Sequence, residues 1–148
     1  MKVDRASSGA AAQMSPDFRL YLKEQRVATF SQWPFVSDCS CTPDRMAGAG
    51  FIHCPSENAP DVTQCFICFK ELEGWEPDDD PMEEHRRHSP NCAFLALQKD
   101  ISQLTLQELL KLSKERMINM IKKEVNQKIT ELENHTEHIR NEIQSLIS

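Results

Sequence analysis

Between Cys65 and Cys92 the chain reads CFICFKELEGWEPDDDPMEEHRRHSPNC, and this stretch constrains the fold more than any other. Cys65 and Cys68 form a C-x-x-C pair, His85 follows after sixteen intervening residues, and Cys92 after six more. Three thiolates and one imidazole close a tetrahedron around Zn²⁺ with no position left for a substrate. The C-x-x-C spacing sets two sulfurs on one tight knuckle, so half of such a site forms locally. His85 and Cys92 must be returned by the chain, which makes metal binding and folding one event. Asp80-Pro81-Met82-Glu83 reads as a helix start, with Asp as N-cap, Pro at the first helical position and Glu at the third. That helix carries His85 inward, and Pro90 stops it before Cys92. On spacing alone Cys54, His53 and His88 compete for the fourth ligand position, and a bare C-x-x-C also suits a pair of buried core thiols.

A chain of 148 residues has room for one ordinary domain and a further element. Its 23 acidic against 17 basic residues give a net charge of −6, which opposes a general nucleic-acid binder, and no direct DNA binding is expected. Six cysteines are too sparse for a disulfide scaffold at this length. Met1 to Gln13 is polar and Ala/Ser-rich, without the apolar centre of a secretory leader, and no apolar run reaches membrane-spanning length. The expectation is a reducing compartment, cytosol or nucleus, with no membrane association and with Cys39, Cys41 and Cys54 as free thiols.

Four segments follow in order: a disordered tail over 1–15, a zinc-binding unit over 16–97, a linker over 98–104 and a long amphipathic helix over 105–147. The spacing of Phe18, Leu20, Tyr21, Leu22 and Val27 predicts a short amphipathic helix, and the aromatic run from Arg26 to Phe35 reads as core. Thr42-Pro43 opens a helix that Gly48 and Gly50 close. Phe51 to Cys54, Val62 to Cys65 and Phe66 to Leu72 read as three short strands of an antiparallel sheet ending at the metal. The fold class is therefore α+β, a small zinc-binding unit followed by one long C-terminal helix.

Arg26-x-x-Thr29-Phe30-x-x-Trp33-Pro34, Ala49-Gly50-Phe51, Asp61-x-x-x-Cys65-x-x-Cys68, Trp75-Glu76-Pro77-x-Asp79-x-Pro81, and Glu84-His85 with Cys92 together resemble the baculoviral inhibitor-of-apoptosis repeat over roughly residues 18–97. The resemblance implies the ligand set Cys65, Cys68, His85 and Cys92 around one structural zinc, and leaves Cys54 as a core thiol. Many repeats of that family carry Gly four residues before the Asp, where this chain has Glu57. A single repeat followed by a long charged helix, with no RING finger, resembles the family's member in the chromosomal passenger complex.

Glu71, Glu73, Glu76, Asp78, Asp79 and Asp80 surround Leu72 and Trp75. Most of these carboxylates suit a solvated loop. Trp75 beside Glu73 and Asp79, however, offers an apolar wall next to clustered anions, which fits a protonated amine on a small residue, with Leu72 and the indole covering its methyl group. Capture of a free peptide N-terminus is the expectation, and the resemblance implies the same, because these repeats bind peptides beginning with Ala. It further implies reading of the histone H3 N-terminal tail phosphorylated at a nearby threonine, with Lys70 and His88 on the phosphate and Glu73 and Asp79 on the amino terminus. A doubly charged phosphate favours such cationic donors. From the residues alone, His88 reads as a surface histidine.

Leu97, Ile101, Leu104 and Leu106 are spaced as a nuclear export signal, and equally as a packing stripe beside a domain. The resemblance implies homodimer contacts at Phe18, Ile101, Leu106 and Leu109. Thr105 and Glu108 form a capping box, and no Gly or Pro interrupts the chain from there to Ile147. Ile118, Ile121, Val125, Ile129, Leu132, Ile139, Ile143 and Leu146 make one apolar stripe, broader than a two-stranded seam because Lys128, His135 and Glu142 occupy the alternate positions. Such a stripe suits a self-associating coiled coil or a helix bundle. The resemblance implies a three-helix bundle with borealin-like and inner-centromere-protein-like subunits, carrying Aurora B kinase.

No nucleophile–base pairing and no phosphate-binding glycine loop is present in the sequence, and the metal site is closed, so a non-enzymatic role is expected. Two classes of function remain: a mitotic adaptor, and an inhibitor of apoptosis acting on caspases or on Ala-starting antagonists. The former implies nucleus, centromere, spindle midzone and cytoplasm as locations. Ser15-Pro16, Thr42-Pro43 and Ser89-Pro90 are minimal proline-directed phosphorylation sites, of which the resemblance singles out Thr42.

Overall fold

The computed structural model describes residues 16–148. The tail expected over 1–15 lies outside the described residues. Short helices α1 (Pro16–Arg19) and α2 (Lys23–Ala28) precede α3 (Pro43–Gly48), strands β1 (Phe51–His53), β2 (Thr63–Cys65) and β3 (Glu71–Leu72), helix α4 (Pro81–His88), a 3₁₀ turn (Ile101–Gln103) and the long helix α5 (Leu106–Ile147). The three strands form one antiparallel sheet in the order β1-β2-β3, with Phe51 opposite Cys65 and Thr63 opposite Leu72. The small α+β unit with a long C-terminal helix is thus present. Two details differ from expectation. The single helix expected over 18–27 is two, because the chain turns at Leu20–Leu22, where the Tyr21 and Leu22 amides bond back to the Phe18 and Arg19 carbonyls. The third strand begins at Glu71 rather than Phe66, because residues 66–70 are used in the knuckle, with Phe69 at φ 62°.

Each short helix is fixed at its start. The Thr42 hydroxyl accepts the Arg45 amide, and the Asp80 carboxylate accepts the Met82 and Glu83 amides at 2.9 and 3.2 Å, with Pro at the first helical position in both cases. Arg45 then pairs with Asp80 at 2.9 Å, tying the two N-termini together. Glu57 sits in an exposed turn closed by Ser56 and Ala59 and is absent from the described residues with positive φ, so a side chain there is accommodated without strain. Gly50 is different: its φ is +95°, and an added Cβ would lie 2.9 Å from the Phe94 ring.

The core gathers Phe30, Trp33, Phe51, Phe66 and Trp75, largely edge to face. The Trp33 indole donates to the Cys41 carbonyl at 2.8 Å, which satisfies its one polar atom. Arg26 is buried against the rings of Phe66 and Phe94, donating to the Ala47 and Leu20 carbonyls. Its burial lowers the guanidinium to about 10, still far above neutral pH.

Helix α5 has 42 residues, about 63 Å at 1.5 Å per residue. Its Thr105–Glu108 capping box is formed in both directions. Only its first half meets the domain. Leu112 and Arg116 are buried, Ser113 shares a 3.0 Å hydrogen bond with Tyr21, and Lys123 pairs with Glu71 at 2.7 Å. Beyond Lys123 the helix is exposed on all sides among the described residues.

Candidate functional site

The knuckle after β2 builds half of a donor cluster. The Ile67 and Cys68 amides point at the Cys65 sulfur at 3.3 and 3.5 Å, as amides do around a metal-bound thiolate. Helix α4 supplies His85, and the turn after Ser89 supplies Cys92. The four ligand atoms lie within 4.8 Å of one another, with Cys65, His85 and Cys92 buried and Cys68 half-buried.

The donors fit one zinc. Zn–S bonds of about 2.3 Å and a Zn–N bond of about 2.0–2.1 Å set tetrahedral edges of about 3.8 Å between sulfurs and about 3.5–3.6 Å from sulfur to nitrogen. The Cys65–Cys92 sulfurs are 3.8 Å apart, and Cys68 Sγ lies 3.6 Å from His85 Nε2. His85 Nδ1 lies 2.6 Å from the Ala49 carbonyl, which only accepts, so Nδ1 carries the proton and Nε2 turns its lone pair to the sulfurs. Burial raises the Cys65 thiol, whereas hydrogen bonds from Cys65 and Cys92 hold Cys68 far below the ordinary thiol range. Cys54, His53 and His88 lie outside the cluster. His53 instead stacks on Phe30 and bonds to the Pro60 carbonyl at 2.7 Å.

A notch of about 80 Å³ opens beside the centre, lined by Leu72, Glu73, Gly74, Trp75, Asp79, Glu84 and His88. Five of the six residues expected to bind a peptide meet there. Glu84 is an addition that sequence spacing did not single out, although it follows from α4: Glu84 and His88 are four residues apart and share one helix face. Lys70 lines a neighbouring depression instead. The Asp61 carboxylate receives the Gly74 and Trp75 amides at 2.8 Å, and the Asp79 carboxylate receives the Glu76 amide at 2.8 Å, so the loop is held from two sides. Trp75 is only 6% exposed and donates to the Thr63 hydroxyl at 3.2 Å, so its ring is mostly core.

Of the residues expected at a dimer contact, Phe18 and Leu106 are exposed, while Ile101 and Leu109 pack partly against the core, as do Leu97 and Leu104. Along α5, Ile118 is half-buried, and Ile121, Val125, Ile129, Leu132, Ile139, Ile143 and Leu146 are exposed. Thr42 is half-buried at the start of α3.

Residues 26–96 match the Inhibitor of Apoptosis domain, or BIR. Baculoviral IAP repeat-containing protein 5 of Rattus norvegicus is 57% identical over 92% of this chain and 96% of its own length. The protein of the same name in Cavia porcellus is 60% identical over 87% and 91%. The chain belongs to the baculoviral inhibitor-of-apoptosis repeat family. The matched domain contains the Cys₃His cluster, which could hold one zinc ion. Its similarity extends past that domain: Baculoviral IAP repeat-containing protein 5.2 of Xenopus tropicalis is 50% identical over 93% of this chain and 88% of its own. Relatives of this kind, the survivins, thus match the BIR domain and the long helix together.

Proposed function

We propose that this protein is a non-enzymatic adaptor whose repeat reads a peptide N-terminus and whose long helix fastens it to partner helices. The observation that carries the reading is the apolar stripe of α5. Ile129, Leu132, Ile139, Ile143 and Leu146 are exposed on a helix that projects beyond the domain. An apolar stripe of that length in water calls for a covering partner, and its breadth suits a bundle of three helices better than a two-stranded seam. The partners proposed are borealin-like and inner-centromere-protein-like subunits, which bring Aurora B kinase to centromeres in mitosis. Nucleus, centromere, spindle midzone and cytoplasm are the corresponding locations.

The ligand of the notch is proposed to be the histone H3 tail. Glu73, Asp79 and Glu84 give the amino terminus an anionic seat, and Leu72 with the Trp75 edge faces a methyl group. His88 at the notch and Lys70 just outside it are suited to flank a phosphate on a nearby threonine. Zinc, held by Cys65, Cys68, His85 and Cys92, supplies structure only. A second reading, inhibition of caspases or capture of their Ala-starting antagonists, is favoured by the same notch and by family membership. It gives the exposed stripe no task.

Co-expression with the two helical partners tests the adaptor reading. Leu132→Asp combined with Ile139→Asp is expected to abolish co-purification while one zinc per chain is retained. Undiminished co-purification of the double variant would overturn it.

A further inference from the structure

Away from the notch, a pocket of about 340 Å³ opens where the start of α2, the end of α3, α4 and the linker converge. Lys23, Arg26, Arg86 and Lys99 line it, against one carboxylate, Asp100. In a chain of net charge −6, four cations around one cavity are a local reversal of sign. The pocket shares no lining residue with the notch, and no residue of α5 lines it, so it is separate from the stripe assigned to partner helices. Of the residues expected at a dimer contact, only Ile101 lines it.

The cations are held in different ways. Arg26 is 3% exposed, a charge the domain buries at a cost in solvation. Its Nε and Nη1 donate to the Ala47 and Leu20 carbonyls at 3.0 and 2.7 Å, while Nη2 bonds to nothing among the described residues. Among those residues His53 Nδ1 is the one buried side-chain polar atom sealed off without a partner, so Arg26 Nη2 keeps access to solvent, and the pocket is where Arg26 meets it. Arg86 is exposed on α4 and forms no ion pair or hydrogen bond among the described residues. Lys23 pairs with Asp44 and Lys99 with Glu108, both at 3.1 Å, but all four side chains are exposed, so these pairs are weak and readily redirected. Asp100 is engaged by the Ser102 amide and hydroxyl at the start of the 3₁₀ turn.

A buried guanidinium with an unused N–H, a second guanidinium without a partner and two redirectable ammonium groups suit an anion of more than one charge. A phosphate monoester fits best, because its three terminal oxygens accept several charged donors at once. Met82, Leu95 and Leu97 add an apolar wall for the body that carries the phosphate.

We propose that this pocket binds a phosphate monoester, with Arg86 and Arg26 Nη2 as direct donors and Lys23 and Lys99 as supporting charges. The ester is either a phosphorylated residue of a protein partner or a free small molecule, and the apolar wall favours the former. The site is independent of the notch and of the partner helices.

Calorimetric titration of the full-length, zinc-loaded chain at low salt tests it. The probes are an N-acetylated, C-amidated Met-phosphoserine-Leu peptide, its unphosphorylated parent and glycerol 2-phosphate. Acetylation removes the ammonium that the notch is proposed to hold. The phosphopeptide is expected to bind about tenfold or more tighter than the parent, with the gap shrinking as salt screens the exposed charges. Arg86→Glu should erase the gap, and Asp100→Asn, which keeps a capping oxygen, should widen it about threefold. Both variants should retain one zinc per chain. Glycerol 2-phosphate binding as tightly as the phosphopeptide assigns the pocket to a free ester, and weaker binding assigns it to a phosphorylated segment. The site is overturned if neither phosphate probe binds more tightly than the parent peptide. A gain that persists in Arg86→Glu, or that fails to rise in Asp100→Asn, overturns it equally.

Discussion

Arg116 Nε donates to the carbonyl oxygen of Phe66 at 3.0 Å, so the long helix grips the backbone one residue after the first metal ligand. Asn119 repeats the contact at the Ile67 carbonyl, 3.1 Å away, and the Arg116 guanidinium lies 5.2 Å from the Phe69 ring centre. The knuckle that carries Cys65 and Cys68 is therefore shared between the metal centre and the start of the scaffold helix. Arg116→Ala strands a buried carbonyl, at a cost of about 1–3 kcal/mol. Hydrogen exchange should quicken over residues 106–123 and stay unchanged beyond 124, where the helix is exposed on all sides among the described residues. Uniform protection along α5 in the variant would contradict this coupling.

Asp80 caps α4 and pairs with Arg45, and these contacts hold its carboxyl below the ordinary value of 3.8, the Glu83 amide contributing most. A depressed native value means that the stabilisation is fully present above pH 3.8 and is lost as the pH falls through the lower native value. Asp80→Ala should cost about 1 kcal/mol at neutral pH, the usual worth of an N-cap. The difference from the parent chain should vanish in acid, as read by urea midpoints across pH.

Within the notch, Glu73 is the cleaner probe. It is exposed and its side chain forms no hydrogen bond or ion pair among the described residues, so Glu73→Gln should leave stability within about 0.5 kcal/mol. Its binding of a free N-terminal Ala peptide should weaken about tenfold if an ammonium–carboxylate contact is lost, and binding of the N-acetylated peptide should already be absent. Trp75→Ala is a poor probe, because truncating a buried Trp costs about 3–5 kcal/mol. Its loss of binding would report unfolding. Fluorescence anisotropy with paired stability curves separates the two.

Leu132→Asp and Ile139→Asp in the isolated chain should leave thermal stability unchanged within about 0.5 kcal/mol, because both side chains are exposed. A marked drop in the melting temperature would mean that the stripe already has a partner in the free protein, such as a second copy of the chain.

The metal knuckle, the capped helices and the long helix were legible because their signals are local. A C-x-x-C pair, Asp80-Pro81, Thr42-Pro43 and Thr105 with Glu108 each fix a few adjacent residues by backbone chemistry alone. What escaped was set by contacts distant in sequence. Phe66 to Lys70 are apolar enough to extend the third strand in the sequence, but the turn around Cys65 consumes them and the strand begins at Glu71. Trp75 does line the notch, as its acidic neighbours suggest, but the bond from its indole to Thr63, which draws most of the ring into the core, crosses twelve positions. Glu84 joined the notch only once α4 was oriented by His85. The grip of Arg116 on Phe66 spans fifty positions and leaves no periodic trace in the sequence.

The central claim is that a four-ligand zinc site closes the domain on which the rest is mounted. Titrating the pure chain with a strong chelator, while following zinc by native mass spectrometry and the near-ultraviolet circular dichroism of Trp33 and Trp75, tests it most directly. One zinc per chain, and collapse of the tryptophan signal in step with its removal, is the predicted result. A zinc-free chain with an unchanged tryptophan signal would contradict it.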